Sequence, residues 1–138
     1  ALSKVICRYH RIPVPQFHVF PVGARRTRRP KRMGFPLIVK SLTEEGSVGI
    51  AQRSVVHDDE ELAERVDFIH RTLETDAIAE EYIDGRELYV GVMGNARLQV
   101  FPVWEMSFAK MPESIWHIAT ERVKWNAKYQ ERHGIDTG

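Results

Sequence analysis

The hydrophobic positions of this chain change their spacing several times, and each change marks an element. Leu2, Val5, Ile6 and Tyr9 recur at helical spacing and predict a short first helix with one apolar stripe, ended by Pro13 and Pro15. Phe17, Val19 and Phe20 predict a short strand closed by Pro21. Residues 23–34 read as a basic loop or irregular helix. Phe35 to Val39 is a continuous apolar run, the pattern of a buried strand, and it ends on Lys40. A polar, glycine-containing turn covers 43–49, and Ile50 to Val56 resume as a strand. Asp58 caps a helix, with Glu61 three residues later as in a capping box, and Leu62, Val66, Ile69 and Leu73 form its buried face. Ala77 to Ile83 return to strand, broken by Asp84-Gly85. Leu88–Val92 and Leu98–Val103 flank Gly94-Asn95 as a hairpin. Residues 105–120 show no clear period. Lys124 to His133 predict a last helix, with Gly134 as its C-cap. The sum is an α+β chain without regular βαβ alternation.

Composition narrows the class. With 138 residues, 43% hydrophobic and 28% charged, the chain can bury a core and is not of disordered composition. A formal net charge of +1 selects no partner by itself. Cys7 is the single cysteine, so no intramolecular disulfide forms, which fits a reducing, cytoplasmic setting. It reads as a small buried filler. No apolar run reaches membrane-spanning length. The six histidines are scattered without metal-ligand spacing, and Trp104, Trp116 and Trp125 read as core or interface residues. His70 reads as a surface or boundary residue of its helix. The chain opens abruptly on Ala1 in a helical pattern, which reads as an excised fragment.

Two segments could carry chemistry. The first is Lys40 and the turn after it, Ser41-Leu42-Thr43-Glu44-Glu45-Gly46-Ser47-Val48-Gly49. Glycines at 46 and 49 let backbone N–H groups face a ligand closely, and a lysine at a strand end beside such a loop suits a phosphate. Neither a Walker A loop nor a dinucleotide fingerprint is present. On this segment alone, an ordinary hairpin turn with a lysine at a strand end is the better reading. The second segment is Ala77-Ile78-Ala79-Glu80-Glu81-Tyr82-Ile83-Asp84-Gly85-Arg86-Glu87. Its carboxylates can accept hydrogen bonds from a nucleobase amine or ribose hydroxyls. A solvated strand end is the bland alternative.

Taken together, in this order and spacing, the two segments resemble the ATP-grasp superfamily, and within it the D-alanine–D-alanine ligases. Phe35–Ile50 and Ala77–Val92 carry the resemblance. Thr120–Tyr129 and the Pro-x-Pro entry before Phe17 carry it more weakly. It implies antiparallel sheets closing on ATP, with 1–83 as a first lobe and 84–138 as the start of a second. It also implies roles for single residues. Lys40 resembles the lysine on the α- and β-phosphates, and Glu45, Gly46, Ser47 and Val48 the flap over them. Glu80 would meet the adenine amine, the backbone of Glu81 and Ile83 its edge, and Tyr82 would pack beside it. Glu87 resembles the ribose carboxylate and Lys124 a lysine reaching the terminal phosphate. The implied parent is an ATP-dependent carboxylate–amine or carboxylate–thiol ligase working through an acylphosphate. Its partners would be ATP, a small-molecule carboxylate and Mg²⁺, whose ligands are expected beyond Gly138. The assembly, a homodimer included, is open, and no catalytic residue is assigned.

Departures from the pattern accompany the resemblance. Ser41 stands where these ligases have proline, and the flap lacks their doubled serine. A family lysine that meets the phosphates from the first helix would fall just before Ala1. A rival reading rests on Arg25, Arg26, Arg28, Arg29, Lys31 and Arg32, a basic run that suits nucleic acid or an acidic partner. It lacks interleaved aromatics and any nucleic-acid-binding motif.

Overall fold

In the computed structural model, which describes residues 1–138, two units divide the chain, Ala1–Ile83 and Asp84–Gly138. The first is organised by the strand β2 (Leu37–Ser41), whose side chains alternate strictly between two faces. Leu37 and Val39 are wholly buried and face a helix, α2 (Asp59–Thr72), which contributes Leu62, Val66 and Ile69 to the same core. Ile38 and Lys40 face the other way, because successive strand residues point to opposite sides.

Four antiparallel strands make the first sheet, in the order β1 (Phe17–Phe20), β4 (Ala77–Glu81), β2, β3 (Val55–Val56). Register pairs Ile38 with Glu80 and Lys40 with Ile78 across β2 and β4, and Phe17 with Glu80 across β1 and β4. Phe20, Ala77 and Ala79 thus join the core face, while Phe17, Val19, Ile38, Lys40, Ile78 and Glu80 share the opposite face. Burying each large aliphatic side chain of the core contributes roughly 1.5–3 kcal/mol, so the α2-facing side holds this unit together.

Several expected elements differ in detail. The first helix, α1 (Leu2–Tyr9), forms where its spacing predicts, yet Leu2, Val5, Ile6 and Tyr9 are all exposed and no α1 residue is buried. Its inward-turned positions are Lys4 and Cys7, only half-buried. Cys7 is therefore no core filler. Asp58 caps α2 by accepting from the Glu60 and Glu61 amides at 2.9 and 2.8 Å. Glu61 completes no reciprocal box, because its carboxylate takes the His57 amide instead at 2.8 Å. The strand expected over 50–56 shrinks to Val55–Val56. A 3-10 turn at Gln52–Ser54 precedes it, in which the buried Ser54 hydroxyl accepts from the Ala51 amide at 3.1 Å. His70 is a boundary residue, its Nε2 lying 2.9 Å from the Phe20 carbonyl.

The second unit has a three-stranded antiparallel sheet, β5 (Glu87–Met93), β6 (Gln99–Phe108) and β7 (Ile135–Thr137). Gly94 turns the expected hairpin at φ 115°, where an added Cβ would collide with the Arg97 carbonyl. β6 runs further than its apolar pattern, to Phe108. The last helix is broken into α3 (Glu121–Trp125) and α4 (Ala127–His133) by Asn126, whose side chain caps α4 by accepting from the Tyr129 amide at 2.9 Å. Gly134 closes α4 in the left-handed region, as expected. Met106, Met111, Ile118 and Val123 are buried here, whereas Trp104 and Trp125 are exposed and do not serve as core.

Removing apolar bulk from the two helices should have opposite results. Leu62→Ala should destabilise by about 2–5 kcal/mol, and Leu2→Ala should stay within about 0.5 kcal/mol. Urea unfolding followed by circular dichroism checks both, and a large loss from Leu2→Ala would contradict the exposed position of its side chain.

Candidate functional site

The sheet face opposite the core carries a charged cluster built from three elements. Glu80, on β4, is only 5% exposed. Its Oε2 takes the Lys40 ammonium from the neighbouring β2 at 3.3 Å and the Lys4 ammonium from α1 at 3.2 Å. Its Oε1 is buried and has no hydrogen-bond partner. Two cations and one carboxylate leave the cluster with net charge +1, favourable to an arriving anion. The unpartnered Oε1 is a buried acceptor without a donor, a costly arrangement in protein alone. A ligand amine would satisfy it.

Lys40 and Glu80, forty residues apart in sequence, are brought together by the β2–β4 register. Lys4 was not singled out by its sequence context. Its spacing places it off the apolar stripe of α1.

The loop after Lys40 is fastened at both ends. At its start, the Ser41 hydroxyl lies 2.7 Å from Thr75 Oγ1 and accepts from the amides of Thr43 and Glu44 at 3.2 and 3.0 Å. The Leu42 amide donates to the Asp76 carbonyl at 2.9 Å. Ser41 thus has a definite task, anchoring the loop through a hydroxyl that proline would lack. At the far end, Arg65 reaches from the core-facing side of α2 to the Gly49 carbonyl and to Ser54 Oγ. Its guanidinium also lies over the Phe68 ring at 4.4 Å, and burial lowers its pKa. Arg65 sits among Leu62, Val66 and Ile69, where the apolar period hides an anchoring cation. Gly49 has φ 68°, in the left-handed region where a side chain would be strained and glycine is not.

Between these anchors, Glu45 is exposed, Gly46 and Ser47 both take positive φ (64° and 66°), and Val48 is exposed. Ser47 is buried inside the turn, not displayed on its outer side. At the other segment, the Glu81 amide donates to the Gln16 carbonyl at 2.9 Å and the Tyr82 amide to the Pro36 carbonyl at 3.1 Å. Ile83 is exposed.

In the second unit, Glu87 and Lys124 converge on one ring. Tyr89 donates its hydroxyl to Glu87 Oε1 at 2.8 Å, and the Lys124 ammonium lies 5.8 Å from the Tyr89 ring centroid. Desolvation, then the hydrogen bond and charge of Glu87, push the Tyr89 phenol up to about 12. Alternation on β5 predicts that residues 87 and 89 share a face, so Tyr89 was recoverable from the strand pattern. The wall around Glu87 continues through Glu105, Ser107 and His117 into an open cleft of about 470 Å³.

These two antiparallel sheets with flanking helices form the ATP-grasp fold. Residues 6–136 match the family described as the D-Ala–D-Ala ligase C-terminus, and the chain belongs to that family. Among relatives, protein y4sG of Sinorhizobium fredii is 31% identical over 128 residues, 93% of this chain and 34% of that protein. The D-alanine–D-alanine ligase of Bordetella pertussis is 34% identical over 109 residues, 76% of this chain and 32% of that enzyme. The chain spans about a third of the length of these relatives. Among solved structures, D-alanine–D-alanine ligase from Bacillus anthracis complexed with ATP superposes with a TM-score of 0.60 at 20% identity, covering 98% of this chain and 46% of that one. An L-amino acid ligase from Bacillus licheniformis gives 0.56 at 22% identity, covering 81% of this chain and 31% of that one.

The Tyr89–Glu87 pair makes a pH prediction. The folded chain holds the phenol proton more tightly than the unfolded chain, whose tyrosine titrates near its ordinary value of about 10. This stabilisation is therefore complete below about pH 10 and lost as pH rises toward about 12. The phenolate absorbance of wild type minus Tyr89→Phe should titrate near 12, and Glu87→Gln should move that midpoint down. A midpoint that ignores Glu87→Gln would contradict the pairing.

Proposed function

We propose that this chain is the ATP-binding portion of an ATP-dependent carboxylate–amine or carboxylate–thiol ligase. In that reaction a carboxylate oxygen attacks the γ-phosphorus, releasing ADP. The nucleophile then attacks the acylphosphate carbonyl and releases phosphate. The observation that carries the reading is the Lys4–Glu80–Lys40 cluster, centred on a buried carboxylate whose Oε1 is unpartnered. It pairs a cationic surplus for phosphates with a buried acceptor for an amine. Family membership supports the same reading.

Within the first unit, Glu80 Oε1 accepts the adenine amine, the Ile83 backbone reads the base edge, and Tyr82 packs beside it. The Glu81 amide is committed to Gln16, so the part of the Glu81 backbone that reads the base is its carbonyl. Lys40 moves to the α- and β-phosphates, and the loop from Glu45 to Val48 covers them with its backbone. Within the second unit, Glu87 accepts ribose hydroxyls and Lys124 meets the terminal phosphate. Charge neutralisation and positioning are the main contributions such groups make to phosphoryl transfer. No group of three or more His, Cys, Asp or Glu side chains converges as a metal-ligand set.

The rival reading from the basic run loses one of its six cations to structure. Arg29 donates to Asp59 Oδ1 at 2.8 Å and to the Met33 carbonyl, and its guanidinium lies 4.3 Å from the Phe35 ring centroid.

Calorimetric titration tests the proposal. Wild type should prefer ATP and ADP to GTP. Lys40→Ala should weaken ATP by roughly tenfold or more and spare adenosine. Glu87→Gln should also weaken ATP. Replacing Arg25, Arg26 and Arg28 with Gln, leaving the structural Arg29 intact, should leave ATP binding unchanged. Tight, steeply salt-dependent oligonucleotide binding, lost in the arginine variant and accompanied by no ATP binding at millimolar nucleotide, would sink the ligase reading.

A further inference from the structure

Lys4 holds a position that its helix does not explain. α1 exposes its apolar stripe and turns a lysine inward, the reverse of what burial of an amphipathic helix requires. The inward lysine is aimed at one atom, Oε2 of a carboxylate that is 5% exposed. Lys40 is aimed at the same atom. Two ammonium groups on one oxygen leave the other, Oε1, bare and buried.

Resting on the nucleotide reading above, we infer that Lys4 is a positioning residue for adenine recognition. It fixes the Glu80 carboxylate with Oε1 presented to the base and keeps that carboxylate paired once Lys40 has been drawn to the phosphates. The physical need is direct. A carboxylate this deeply buried is strongly disfavoured as an unpaired charge. If Lys40 were its sole cation, each phosphate contact made by Lys40 would strip Glu80 of its partner, and the two ends of the nucleotide would compete for one lysine. A second cation from a different element removes that competition. Lys4 reaches Glu80 from α1 while Lys40 reaches it along β2, so one can leave without displacing the other. The arrangement also holds an otherwise lightly attached helix against the sheet. Arg8 adds two further ties, to the Pro15 carbonyl at 3.3 Å and over the Phe17 ring at 4.8 Å.

The roles of the two lysines separate by ligand. Lys40 acts at the phosphates, so its loss spares adenosine. Lys4 acts through Glu80, so its loss should weaken adenosine and ATP alike and narrow the preference for ATP over GTP. The experiment is calorimetric titration of the full chain with ATP, GTP and adenosine for wild type, Lys4→Met, Lys4→Gln and Lys4→Arg. The neutral substitutions are repeated in a Glu80→Gln background, and circular dichroism verifies folding. Lys4→Met and Lys4→Gln should each lower adenosine and ATP affinity on the order of tenfold. Lys4→Arg should retain most of it. In the Glu80→Gln background the same substitutions should change affinity by less than about twofold, because the coupled partner is gone. Should Lys4→Met fail to fold, Lys4→Gln carries the comparison. Unchanged adenosine affinity and unchanged ATP:GTP preference overturn the inference, as does an equal loss with and without Glu80. If wild type discriminates between ATP and GTP while the Lys4 variants match it, the Lys4 role alone falls. If wild type shows no such discrimination, the adenine reading falls and takes Lys4 with it.

Discussion

A carboxylate deprived of water must find compensating charge and donors within the protein, and Glu80 sets this condition for the first unit. It lies on the central part of the sheet, paired in register with Ile38 on one side and Phe17 on the other. The cations that answer it come from the strand beside it and from the first helix. The placement of β2 against β4 and the docking of α1 are thus tied to one buried charge. Half of that charge's hydrogen-bonding capacity is met, and its Oε1 is left buried without a partner.

Strict two-residue alternation lets the same strands carry both structure and chemistry. Leu37, Val39, Ala77 and Ala79 go to α2, and Ile38, Lys40, Ile78 and Glu80 go to the other face. A slip of one residue would drive a lysine and a glutamate into the aliphatic core and expose the residues that build it. The apolar packing therefore enforces the pairing geometry of the charged face. Asp76 adds a second restraint outside the strand, its side chain accepting from the Val22 amide and its carbonyl from the Leu42 amide.

Much of this organisation was legible from residue spacing. The strand that carries Lys40, though it runs Leu37–Ser41 and not from Phe35, the Asp58 cap, the aliphatic face of α2, the Gly94 hairpin and the Gly134 terminus all follow from local patterns, because each is decided by backbone conformation or by neighbours within one turn. What escaped was decided at long range. The stripe on α1 has helical spacing but faces solvent, since the helix is oriented by Lys4, whose partner lies 76 residues away. Arg65 broke an aliphatic face without any local sign that its acceptors, Gly49 and Ser54, would fold beneath it. The split of the last helix depends on whether Asn126 continues one helix or caps the next, a choice that periodicity alone leaves open. Tyr89 lay one strand repeat from Glu87 and could have been found by following alternation away from the charged residue.

The loop after Lys40 has its two fastenings at its ends. Ser41 and Thr75 secure one end, and Arg65 secures the other at Gly49. The residues between them, 43–48, can differ in length and chemistry without disturbing the aliphatic core, because closing a somewhat longer loop adds little entropy cost. The stretch behaves as an interchangeable insert on a fixed frame. Sequence change there leaves the frame in place.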